Sequence, residues 1–181
     1  MDVVIPLTPA LSPHGGERRL VETAWQVLGT IPDPEVPVVS IVELGIVRNV
    51  GLEREEVVVT LTPTYSGCPA TEAIESMVHE ALRAHGRDAR VEYRLAPAWT
   101  TDWMAPEARA RLRAFGIAPP GGAARVDVTG ISPLRRARAT VACPRCGSRD
   151  TALMSQFGST ACKAQYRCNA CLEPFDYFKP H

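Results

Sequence analysis

The 181-residue sequence has no net charge, few aromatic side chains and no long apolar run. Its 20 basic and 20 acidic residues cancel, so the whole chain lacks the positive footprint of a nucleic-acid binder. No stretch approaches the ~20 apolar residues that a membrane helix needs. The opening Met-Asp-Val-Val-Ile-Pro-Leu-Thr-Pro has no basic segment and is interrupted by proline, so no secretory signal is expected and a cytoplasmic address is. A glycine-rich phosphate loop, a Ser/His/Asp pattern and an acid–base pair are all missing, so the chain is not expected to be an enzyme by itself.

What is present is cysteine in a metal-ligand pattern. Cys143-Pro-Arg-Cys146-Gly147 and Cys168-Asn-Ala-Cys171-Leu172 are two CxxC knuckles separated by 21 residues. Each knuckle turns two thiolates to one side of a tight loop. Two knuckles make a closed tetrahedral S₄ set, the coordination of a structural Zn²⁺, although rubredoxin-like iron or an iron–sulfur cluster also suits four sulfurs. The 40 or so residues around them are too few for a substantial core. Metal ligation, about 10–16 kcal/mol in small zinc peptides, would supply much of the folding energy. Arg145, Arg149, Lys163 and Arg167 lie near enough in sequence to offset the net negative charge of such a site. Cys162 lies outside the spacing and reads as a small core residue, with a redox or transfer role as the alternative.

Charge and periodicity divide the chain. Residues 1–100 carry a local balance of −6, residues 101–142 +4 and residues 143–181 +2. Residues 1–16, with three prolines and no periodicity, read as a disordered extension. A helix is expected from Arg18 to Gly29 on the stripe Leu20, Val21, Ala24, Trp25, Leu28. Pro32, Pro34 and Pro37 then impose a stiff loop. A helical turn at 40–44, strands at 46–50 and 55–62 with a hairpin around Gly51–Glu53, a helix over 70–85 and a strand at 90–95 complete an α-β-β-α-β order. The expected fold class is α+β: a small sandwich over residues 17–96, a helical extension and linker over 97–140, and a small β ribbon over 141–181. The extension has a helix at 104–115 with Met104, Ala108, Leu112 and Phe115 on one face, and an Arg-rich linker from 118 with a short strand at 125–128.

One further cysteine stands apart. Cys68, between Gly67 and Pro69, sits where a strand hands over to a helix. The partial positive charge of a helix N-terminus there favours a lowered thiol pKa. Thr64, Tyr65, Ser66 and Thr71 add hydroxyls. A cluster-binding thiolate and a buried small residue are both compatible with this position. His79 and His85 are three to four turns along the helix, so a Cys–His pair is weakly supported. Asp33 and Glu35 in Asp-Pro-Glu-Val-Pro are either helix-capping or solvated loop charges, or part of a site facing Cys68. Trp99 and Trp103 read as packing residues.

These segments carry a resemblance. Asp33-Pro-Glu-Val-Pro-Val-Val-Ser-Ile-Val-Glu-Leu-Gly-Ile-Val, followed by Leu61-Thr-Pro-Thr-Tyr-Ser-Gly-Cys68-Pro-Ala, resembles the metal–sulfur cluster assembly domain of SufT-like proteins over about residues 20–95. With Trp99-Thr-Thr-Asp-Trp103, Leu112–Pro120 and the ribbon run Ser155–Cys168, the chain from about residue 18 onwards is similar to the PaaD-like (PaaJ-like) family of the aerobic phenylacetate pathway.

The resemblance implies an accessory component that assembles or delivers iron or an iron–sulfur cluster to a multicomponent phenylacetyl-CoA 1,2-epoxidase. The epoxidase has a di-iron oxygenase and a reductase with flavin and a [2Fe–2S] cluster. It implies Cys68 as the cluster-contacting residue, with Asp33, Glu35 and Thr64 beside it, a transient cluster, and iron–sulfur assembly proteins, oxygenase and reductase as partners. A homodimer is left open. The alternative is a structural or regulatory subunit of the oxygenase. A third reading, nucleic-acid binding through the ribbon and Arg135-Arg136-Ala-Arg138, is opposed by the neutral charge; neither nucleic acid nor membrane is expected as a partner.

Overall fold

The computed structural model describes residues 15–65, 67–121 and 140–180. The α+β class and the order of the first five elements are as expected. Helix α1 spans Gly15–Gly29 and buries Ala24, Val27 and Leu28. It starts three residues before Arg18, so Gly15 and Gly16 belong to the helix and not to an extension; residues 1–14 lie outside the described residues.

The proline-rich loop is held by its own side chains. The Asp33 carboxylate accepts the N–H groups of Glu35 at 3.0 Å and Val36 at 2.8 Å, and Pro32 bridges to Ser40. Ser40 and Glu43 then cap each other reciprocally, Ser40 N donating to the Glu43 carboxylate and Glu43 N to the Ser40 hydroxyl. Gly45 follows with φ +72°, and a Cβ there would come within 2.5 Å of the Trp103 carbonyl oxygen, so only glycine fits.

Strands β1 (Val47–Glu53) and β2 (Glu56–Leu61) form the hairpin. Its turn is Arg54–Glu55, both at positive φ, and not Gly51–Glu53. Gly51 and Leu52 instead pair with Val58 and Val57 inside the ladder. A two-residue turn with both φ values positive matches strand twist, and it overrides the punctuation that a glycine suggests. Helix α2 (Thr71–Ala84) crosses over to β3 (Ala89–Tyr93), which lies parallel to β2, giving the order β1-β2-β3. The central strand β2 is buried from Val57 to Leu61.

A short 3₁₀ turn (Thr101–Trp103) leads to α3 (Pro106–Phe115), which has Pro106 in its first turn. Ala108 and Leu112 are fully buried, but Phe115, expected on the same face, is 56% exposed. Gly116, at φ +97°, ends the helix, and Ile117–Ala118 follow as β4. Ala118, expected to open a linker, is thus a strand residue. Strands β5 (Thr151–Ser155), β6 (Lys163–Cys168) and β7 (Pro174–Phe178) complete a second sheet in the order β4-β7-β6-β5, with β4 parallel to β7. The strand expected at 125–128 lies outside the described residues.

The two sheets meet in a shared core, and the ribbon also has a smaller buried cluster of its own around Val141, Ala164, Phe175 and Tyr177. Trp99, 4% exposed, donates its indole N–H to the Leu44 carbonyl at 3.0 Å and meets the Phe178 ring at a centroid distance of 6.1 Å. Phe178 and Cys162 of the second sheet region are packed into the same apolar cluster as Val36, Leu44 and Leu61 of the first. Trp103 lies under the Arg48 guanidinium at 3.5 Å, so both tryptophans are packing residues.

Candidate functional site

The first site is the four-cysteine cluster of the ribbon. Gly147 N donates back to the Cys143 carbonyl at 2.9 Å and takes φ +77°, which closes the first knuckle. The second knuckle begins at the end of β6. There Cys171 N lies 3.5 Å from the Cys168 sulfur, and the Cys171 and Ala170 N–H groups hold the Cys168 thiol down at about 7. The Sγ atoms of Cys143 and Cys171 are 3.8 Å apart, those of Cys146 and Cys168 3.5 Å, and all four lie within 4.8 Å of one another. A tetrahedron with Zn–S bonds of ≈ 2.3 Å has sulfur–sulfur edges of about 3.8 Å, so the donor set fits such an ion. Lys163 does not face this site. Its Nζ lies 3.3 Å from the Glu35 carbonyl oxygen and 3.8 Å from Asp176.

The second site is a pocket under the proline-rich loop, at the junction of the two sheets. Its lining includes Asp33, Glu35, Thr64, Cys68, Thr71 and Cys162. Asp33, Glu35 and Thr64 are therefore brought together with Cys68. Ser66 lies outside the described residues. Cys68 N is bonded to the Tyr65 carbonyl, and the Cys68 carbonyl accepts from the Thr71 hydroxyl at 2.7 Å. These bonds fix the loop as it enters α2. The free volume of the pocket is about 20 Å³, room for roughly one water molecule.

The electrostatics correct one expectation. The Cys68 thiol is raised above its ordinary value, first by burial and further by the Glu35 and Asp33 carboxylates; the Ala70 N–H and the Thr71 hydroxyl oppose this but do not win. A helix N-terminus alone lowers a thiol pKa. Here the helix starts at Thr71, and desolvation with two nearby acids outweighs its field. Asp33, 6% exposed, is likewise raised by burial against the two N–H bonds it accepts. Burial, then the nearby Cys68 and Glu35 groups, pushes the Tyr65 phenol up to about 12. Neither histidine of α2 lines the pocket: His79 faces Glu75 at 3.7 Å and His85 bonds back to the Ala81 carbonyl at 2.9 Å.

Sequence spacing missed Cys162. It is buried in the apolar core, as expected, but its sulfur also meets polar groups. Its sulfur lies 3.0 Å from the Thr160 hydroxyl and 3.6 Å from the Glu35 carboxylate, 127 positions away. Burial pushes its thiol up to about 11.

Comparison with known proteins matches two family models. Residues 22–93 match one described as an iron–sulfur cluster assembly protein, and residues 130–179 one described as the PaaD zinc beta ribbon domain. A crystal structure of a domain of unknown function, DUF59, from Bacillus anthracis superposes with a TM-score of 0.50 at 28% identity, covering 54% of this chain and 94% of that one. A putative 1,2-phenylacetyl-CoA epoxidase subunit of Escherichia coli (strain K12) is 52% identical over 160 residues, 88% of this chain and 92% of that protein. At that identity and coverage, with both halves matched and the four ribbon cysteines assembled, the chain belongs to the PaaD family of 1,2-phenylacetyl-CoA epoxidase subunits.

Proposed function

We propose that this protein is a non-catalytic accessory factor that holds iron, as an ion or an iron–sulfur cluster, at Cys68 and delivers it to the oxygenase and reductase of 1,2-phenylacetyl-CoA epoxidase. The observation that carries this reading is the contrast between its two sulfur sites. The ribbon holds four thiols within 4.8 Å of one another, a closed set with no position for a substrate. Cys143, Cys146, Cys168 and Cys171 would hold a Zn²⁺ there, and the ion would supply folding energy to the ribbon. The half-buried Cys68 sits instead in a pocket with oxygen donors from Asp33, Glu35 and Thr64.

Each residue has a role in such a carrier. Cys68 is the sulfur ligand. Its raised pKa keeps it a thiol until iron arrives, so capture releases a proton to solvent. Asp33 is spent on the N–H groups of Glu35 and Val36 and so orients Glu35. Thr64, 8% exposed, adds a hydroxyl to the pocket lining. Iron–sulfur assembly proteins of the cytoplasm would load the site.

The test is transfer. Loaded protein is mixed with the epoxidase reductase stripped of its cluster. Wild type is expected to restore electron transfer and Cys68→Ser to fail. Equal restoration by both would sink the proposal. The E. coli relative is a putative epoxidase subunit, which favours a second reading, a stoichiometric structural component. That reading requires stable co-elution with the oxygenase at micromolar concentration.

A further inference from the structure

We infer that Cys162 is a second sulfur ligand for the iron held at Cys68, so that the cargo site is built jointly by the two sheets. The cargo class is thiophilic iron, alone or as an iron–sulfur cluster. The inference rests on the function proposed above and deepens it.

Cys162 is not needed by the ribbon's own metal site, whose four sulfurs are already grouped without it. The loop before β6 instead delivers it to the pocket that Cys68 also lines, with its sulfur against Glu35. A cysteine buried only for packing behaves as a small hydrophobe among apolar neighbours. The Cys162 sulfur is instead set against a hydroxyl at 3.0 Å and a carboxylate at 3.6 Å.

The charge around the site points the same way. Lys163, 5% exposed, is a buried cation whose carboxylate partner, Asp176, is 3.8 Å away. Its ammonium lies against the Glu35 backbone, next to the pocket. Two thiolates and Glu35 would form an anionic ligand set, and a neighbouring buried cation offsets the cost of assembling it. Phe178, Leu44 and Val36 supply an apolar wall.

The pocket is looser than the ribbon site. Among the described residues only the four ribbon cysteines bring their ligand atoms within 4.8 Å as a set. A lone ferrous ion is small enough for the free volume of the pocket. Iron there is held less tightly than a structural ion, as suits a cargo that must leave. On binding, each thiol exchanges its S–H bond for an S–Fe bond and releases one proton to solvent. A ferrous ion stays ferrous on binding, and a cluster is built from ferric iron and sulfide or arrives preformed, so neither route needs an oxidant.

The full chain, with its ribbon metal in place, is exposed anaerobically to ferrous iron alone or to ferric iron with sulfide. Iron, sulfide and zinc per chain are counted, and the sulfur-to-iron charge-transfer absorption is recorded. Cys162→Ala is expected to keep its zinc and thermal midpoint and to bind iron at least about tenfold more weakly. Cys162→Ser, which keeps the shape, is expected to shift the charge-transfer band, because oxygen replaces sulfur. Cysteine-dependent loading without sulfide identifies an ion as cargo, and loading only with sulfide identifies a cluster; both support the inference. Wild-type affinity and an unchanged band in both variants, with binding lost in Cys68→Ser, would overturn the inference and leave the proposed function standing. Loss of zinc from both variants marks Cys162 as a folding residue and counts against the inference. No iron in wild type in either arm removes the proposed function, and the inference with it.

Discussion

The Cys162 sulfur lies 3.6 Å from the Glu35 carboxylate, joining the ribbon to the proline-rich loop of the first domain across 127 positions of sequence. Metal at the ribbon should therefore be felt at the Cys68 pocket. Removing the ribbon metal with a strong chelator, or replacing Cys143 by serine, is expected to loosen β6 and β7 and to expose Phe178 and Cys162. Hydrogen exchange of those strands, followed with zinc content, checks this. Unchanged protection in metal-free protein would show that the two sites are independent.

The pocket acids separate fold from function. Asp33 is buried with a raised pKa, so its ionised form destabilises the native state at neutral pH. Asp33→Asn keeps a side-chain oxygen for the Glu35 and Val36 N–H groups while removing the buried charge. Its urea midpoint is expected to equal or exceed that of wild type, and its iron loading to be kept because Glu35 stays oriented. A loss above about 2 kcal/mol would mean that the charge itself holds the loop.

The Cys162 thiol gives a pH dependence of stability with a definite sign. Its folded pKa, about 11, lies above its unfolded value near 9.0. The folded state therefore binds the proton more tightly, and this contribution is fully present below pH 9. It is lost as pH rises from 9 towards 11. Glu35 and Lys163 face the same thiol, so Cys162→Ala at constant ribbon metal is the control. The wild-type melting temperature should fall more steeply than that of the variant over this window.

Two packing positions set the junction. Gly45→Ala places a Cβ against the Trp103 carbonyl at a positive φ, and a loss of about 2 kcal/mol or more is expected. Trp99→Phe removes the indole N–H that the Leu44 carbonyl accepts and should cost about 1–3 kcal/mol. Equilibrium urea unfolding measures both.

Much of this was readable from local pattern. The valine-rich run of β2, the stripe of α2 and the two CxxC knuckles each carry their signal within a short window, and each forms as expected. What failed depended on partners distant in sequence. Gly51 looked like a turn because its ladder partner Val58 was unknown. Phe115 looked like core because the stripe of α3 does not reveal how far the neighbouring sheet extends. The Cys68 thiol looked acidic because the helix start was visible and the burial and facing acids were not. Cys162 was read correctly as a core residue, but the carboxylate beside its sulfur belongs to a loop near the other end of the chain and was invisible in the sequence.

The two sulfur sites are expected to hold different metals in different ways, and metal content reads this out directly. Anaerobic protein is analysed for zinc, iron and acid-labile sulfide per chain, in wild type and Cys68→Ser, after reconstitution. One zinc is expected in both proteins, with iron retained only by wild type. One zinc and no iron in either protein would refute the carrier role and leave a metal-stabilised scaffold.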